Sequence, residues 1–134
     1  MTLYREIPID LEAFRGIYHS ALQGDPAKVH LILEDFYQRM AKDVLLDFFF
    51  TGKDLKAIAA RQAEFVLRAM GAAPSYSGRP PAQAHLSMPP ILSGHFDRRL
   101  KLLEETLRAH GLPEDAIQAW LGFENTFREA ITSR

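Results

Sequence analysis

Apolar residues recur at three- and four-residue intervals through almost the whole chain, the spacing that places them on one face of a helix. Asp10 is set to cap a first helix over roughly residues 10–22, with Gly24 at its end. Asp25-Pro26 pairs an N-cap residue with a proline at the first helical position, and Val29, Leu33, Tyr37 and Met40 follow as a stripe widened by Ile32 and Phe36. A short element from Val44 to Phe50 stops at Gly52. Asp54 opens the next helix, with Ile58, Gln62, Phe65 and Ala69 on one face and Gly71 closing it. Residues 72–81 (AAPSYSGRPP) read as loop, and Pro89-Pro90 ends the brief AQAHL segment. Ser93 is the expected cap of a helix carrying Phe96, Leu100, Leu103 and Leu107, and Gly111 closes it. Pro113 then starts a last helix lined by Ala116, Trp120, Phe123, Phe127 and Ala130. No alternating strand pattern occurs, and the unequal helices with a proline-rich break predict an irregular all-α fold rather than an even bundle.

Three polar residues interrupt these stripes. Tyr37 lies among Leu33, Phe36 and Met40, and Gln62 lies between Ile58 and Phe65, so both face inward. A buried hydroxyl or amide without a partner costs about 1–3 kcal/mol, so each needs something to bond: one another, a backbone carbonyl, or a ligand. His85 sits in a short segment pinned between two proline pairs, beside Leu86 and Met88. A lone histidine there is ordinarily a paired core or surface group. The other histidines are less suggestive: His30 and His95 border apolar stripes, and His19 and His110 lie near helix ends. A histidine offered to iron, opposite a tyrosine and a glutamine, is also the arrangement haem uses. The phenylalanines at 36, 48–50, 65 and 96 would equally serve as porphyrin walls or as an ordinary helical core.

Composition narrows the chemistry. The 134 residues fit one domain, 47% of them are hydrophobic, and the net charge of −1 gives no sign of general nucleic-acid binding. The absence of cysteine removes disulfides, thiolate metal ligands, a thiol nucleophile and covalent haem attachment through sulfur. The first twenty residues lack the apolar core of a signal peptide, and no apolar run approaches the roughly 20 residues of a membrane span. The expectation is a small soluble cytoplasmic domain with neither membrane nor nucleic-acid partners.

An ordered set of short stretches then becomes informative: DFYQRM (35–40), FFFTGKDL (48–55), RQAEF (61–65), YSGR (76–79), AHL (84–86), HFDRRL (95–100) and GLPEDAI (111–117). Together they resemble the truncated haemoglobins, bacterial globins with a two-over-two helical sandwich, over residues 24–132. The resemblance implies a single domain over 1–134, with residues 1–20 as an extension. It implies non-covalent haem b with His85 as the axial iron ligand, and a distal pocket of Tyr37, Ile58, Gln62 and Arg99. Phe36, Phe50, Phe65 and Phe96 fall at haem-lining positions, and Arg61 and Arg79 at positions suited to the propionates. The implied ligands are oxygen, nitric oxide, carbon monoxide or a small anion. Turnover of the nitric oxide dioxygenase or peroxidase kind would need a separate reductase, since no GxGxxG motif occurs.

The departures from the family pattern are specific. Its two glycine pairs stand here as Gly24-Asp25 and Gly71-Ala72, so both turns are expected to be altered. PPILSG resembles one group of the family, whereas Ile58 and Gln62 suggest another. Arg99 replaces the usual valine or tryptophan and lies about 70° from the centre of the Phe96–Leu107 stripe. It is expected to swing to solvent or to meet an anion, the favoured outcomes being solvent or a propionate. These departures are the support for the alternative reading, a haem-free globin-like sensor or interaction domain.

Overall fold

A computed structural model describes residues 4–72 and 90–132. His85 and Arg79 lie outside the described residues. Among those described, the helices are α1 (Leu11–Gly16), α2 (Pro26–Lys42), α3 (Leu55–Ala69), α4 (Ser93–Ala109), α5 (Glu114–Asn125) and α6 (Arg128–Ile131). Short 3-10 turns occupy Tyr4–Glu6 and Asp47–Phe50, and no strand is present among these residues. α2 packs on α3 and α4, α4 packs on α5, and α1 covers α5. The core runs through Val29, Phe36, Leu100, Leu103, Leu107 and Trp120, all of them buried. No helix among the described residues is long and apolar enough to cross a membrane.

The aspartate caps form as their local chemistry dictates. The carboxylates of Asp10, Asp25 and Asp54 accept from the backbone N–H groups of Ala13, Ala27 and Ala57 at 3.0, 2.9 and 3.1 Å. The first helix is shorter than expected, ending at Gly16 rather than near residue 22. Beyond it the chain turns tightly, with the Gly24 N–H bonded to the Tyr18 carbonyl at 2.7 Å and the Tyr18 hydroxyl donating to the Gly24 carbonyl at 2.8 Å.

Ser93 is the first residue of α4, and Leu92 occupies the cap. The Ser93 hydroxyl is engaged elsewhere, accepting from Arg128 Nη1 at 2.8 Å, while the Leu92 N–H donates to His95 Nδ1 at 3.0 Å. The last helix does not run through to Ala130 but breaks after Asn125. Thr126 Oγ1 bonds the Phe123 carbonyl at 2.6 Å, and Arg128 is anchored to Asn125, Ser93 and Asp97 over the Phe96 ring. Ala130 is consequently exposed.

Both altered glycine pairs keep the residue that matters. Gly24 and Gly71 adopt φ of +68° and +80°, whereas Asp25 has φ −104° and supplies the cap of α2. In the first turn Gln23 also lies at positive φ, +56°, so that turn holds two successive left-handed positions of which only Gly24 is a glycine.

A buried carboxylate fixes the junction between α2 and the Asp47–Phe50 turn. Asp43 accepts from Arg98 Nε and Nη2 at 2.8 and 2.6 Å and from the Leu45 N–H at 2.9 Å. The Arg98 hydrogen bond holds the Asp43 carboxyl below the usual carboxylate range, against the opposing effect of burial. A depressed folded-state pKa means the contribution is complete above the unfolded value, about pH 4, and is lost as pH falls through the folded value. Asp43→Asn is expected to cost about 1–3 kcal/mol at pH 7. Urea unfolding of both proteins should show that difference shrinking below pH 4.

Candidate functional site

The middle of α2 presents Phe36 and Tyr37, both buried, toward three neighbouring elements. The Asp47–Phe50 turn places the Phe50 ring 5.9 Å from Tyr37, edge to face, and Phe36 lies 5.4 Å from Tyr37. α4 contributes Phe96, which is buried, and Arg99. α3 contributes Ile58, Gln62 and Phe65, all half-buried. Ile58, Phe65 and Phe50 pack at the edge of the core rather than within it. Phe65 also contacts the rings of Phe123 and Phe127. Arg61 lies on the same helix but is exposed.

Arg99 differs from expectation. Its guanidinium does not swing to solvent: the side chain is only 19% exposed, and Nη1 meets Glu124 Oε2 at 2.6 Å. The guanidinium carbon lies 5.2 Å from the Phe36 ring centroid and 5.9 Å from that of Phe96. The Tyr37 hydroxyl lies close enough to the guanidinium to favour its charged form. Burial alone would lower its pKa, but the Glu124 charge and the Tyr37 contact outweigh that and raise it, so the group is cationic.

Glu124 is the participant that sequence reasoning missed. It sits one turn after Trp120 and beside Phe123 on the apolar face of α5, where its side chain is 4% exposed. A carboxylate inside an aromatic stripe was the available signal, because such a charge must find a counter-charge. Its second oxygen, Oε1, is buried without a hydrogen-bond partner, as is the indole N–H of Trp120.

His95 and His110 make local contacts. His95 accepts from Leu92 and meets the rings of Phe48 and Phe49 at 5.7 and 5.2 Å. His110 contacts Asp35 at 2.9 Å, joining the end of α4 to α2.

Comparison with known proteins identifies the family. Residues 17–133 match the family model described as bacterial-like globin. The chain is 34% identical over 97 residues to the group 1 truncated hemoglobin GlbN of Synechocystis sp., covering 70% of this chain and 78% of that protein. It is 31% identical over 99 residues to the group 1 truncated hemoglobin GlbN of Mycolicibacterium paratuberculosis, covering 74% and 72% respectively. In fold it is similar to the 2/2 hemoglobin of Synechococcus sp., solved in the cyanomet state with covalently attached heme. That similarity has a TM-score of 0.74 at 24% identity and covers 88% of this chain and 98% of the other. An all-α chain of this architecture, matched over nearly its full length, belongs to the bacterial-like globins and among them to the truncated haemoglobins, which are haem-binding globins.

Proposed function

We propose that the chain holds haem b non-covalently, with His85 as its axial ligand, and reversibly binds oxygen or another small diatomic ligand on the Tyr37 side. The observation that carries this reading is the set around Tyr37. Phe50, Ile58 and Phe65 are apolar yet only half-buried; Phe50 lies edge-on to the buried Tyr37 ring, and Ile58 and Phe65 belong to α3, which packs on the helix that carries Tyr37. The described residues fit a flat apolar group: aromatic and aliphatic walls surround one polar tip, and the charge nearby is already paired.

When bound, the iron supplies the coordination site for oxygen, nitric oxide or carbon monoxide and, in its ferric state, for a small anion. The chain's own residues then select and retain the ligand. The Tyr37 hydroxyl donates to it, with the Gln62 amide as a second donor and Ile58 as apolar wall. Phe50 holds the Tyr37 ring edge-on, and Phe36 and Phe96 exclude water. Arg61 and Arg79 are assigned to the propionates. Dioxygenase or peroxidase-like turnover would draw electrons from a separate reductase.

The haem-free alternative loses its support. Arg99 is neutralised by Glu124 rather than left as a bare charge, and both glycine turns retain their positive-φ residue. Titration of the purified protein with hemin tests the reading. Wild type is expected to take up one equivalent with a Soret band, and His85→Ala to lose that band. A colourless protein that also fails to take up added hemin overturns it.

A further inference from the structure

We propose that Glu124 sets the ligand selectivity of the Tyr37 pocket by neutralising Arg99, so that uncharged diatomic ligands are accepted and small anions are disfavoured. The inference rests on the haem-globin reading above. Arg99 enters from α4 with its guanidinium carbon 5.2 Å from the Phe36 ring centroid and 5.9 Å from that of Phe96, and the Phe36 ring is itself 5.4 Å from that of Tyr37. A bare guanidinium at that position, poorly screened by water, would attract any small anion approaching Tyr37. The 2.6 Å contact with the buried Glu124 carboxylate cancels the charge.

The pair is committed to one another. Glu124 Oε2 bonds Arg99 and Oε1 bonds nothing, so among the described residues Arg99 is the sole hydrogen-bonded counter-charge of this carboxylate. Stability does not account for such an arrangement. Two buried charges with an unmet acceptor hold helices together less favourably than a packed apolar pair of the same volume. A cation packed against Phe36 near the phenol, with its charge cancelled, accounts for both residues: Arg99 fills that position, and Glu124 keeps the cation from drawing anions.

The test is an azide titration of the ferric, haem-loaded protein, followed by the Soret shift, in wild type, Glu124→Gln, Glu124→Ala and the double variant Arg99→Met/Glu124→Gln. Both single variants are expected to bind azide at least about tenfold more tightly than wild type. The double variant, with neither charge, should return to within about threefold of wild type. Glu124→Gln leaves a buried cation unpaired and can fail to fold. Glu124→Ala opens room for water beside Arg99, and formate should occupy that room, raising the melting temperature of this variant but not of wild type. Equal azide affinity in all four proteins with intact Soret bands overturns the proposal alone, as does a Glu124→Ala protein that formate does not stabilise. A wild type that takes up no haem overturns the underlying reading and this inference with it.

Discussion

Tyr37→Phe is expected to speed oxygen dissociation about 10- to 100-fold while leaving association within about threefold. A hydrogen bond to a ligand that carries partial negative charge contributes about 1.5–3 kcal/mol, and each 1.4 kcal/mol is a factor of ten in rate. The substitution removes one oxygen atom and keeps the ring, so the contacts with Phe36 at 5.4 Å and Phe50 at 5.9 Å survive. Arg99 keeps its Glu124 partner, so no buried charge is left unpaired. Oxygen displacement by excess carbon monoxide in a stopped-flow instrument gives the rate directly. An unchanged rate removes Tyr37 from ligand retention. Gln62→Leu should produce a smaller change, because Gln62 is half-buried and competes with water for its bonds.

Features governed by neighbours in sequence were legible, and features governed by distant partners were not. Asp10, Asp25 and Asp54 cap their helices because the carboxylate and the N–H it bonds lie two or three residues apart. Ser93 stands at the first position of α4 rather than at its cap, and its hydroxyl accepts from Arg128, 35 residues away. The same arginine, anchored across α4 and α5, accompanies the break in the last helix that an apolar stripe through Phe127 and Ala130 did not foretell. Tyr37 announced itself as a polar group on an apolar face, but its partner did not. Arg99 and Glu124 are 25 residues apart on different helices, and each looks anomalous only within its own stripe. Read together, a cation at the edge of one apolar face and a carboxylate within the next imply a pair. The geometry adds that the pair packs against Phe36, whose ring lies 5.4 Å from that of Tyr37.

Gly122→Ala is expected to destabilise the protein by about 2–3 kcal/mol, although helix propensity alone predicts the opposite sign. Mid-helix glycine is about 1 kcal/mol worse than alanine, so an unhindered position would gain from the change. Gly122 is hindered: a methyl group there would lie 2.3 Å from the Pro8 carbonyl oxygen and 3.5 Å from Ile7 Cγ2. The obstacle is backbone, held in place on both sides. Tyr4 donates to Glu104 at 2.7 Å, Ile7 is buried in the core, and Phe14 of α1 stacks on Phe123 at 4.0 Å. Relief requires the segment before α1 to lift from α5, exposing Ile7 and loosening these contacts. The two contributions separate in a chain lacking residues 1–9, where the obstacle is gone and the same substitution should be neutral or stabilising by up to about 1 kcal/mol. Urea unfolding of the four proteins measures this reversal of sign. A Gly122→Ala penalty that persists in the shortened chain would place its cause within α5 rather than at the docked extension.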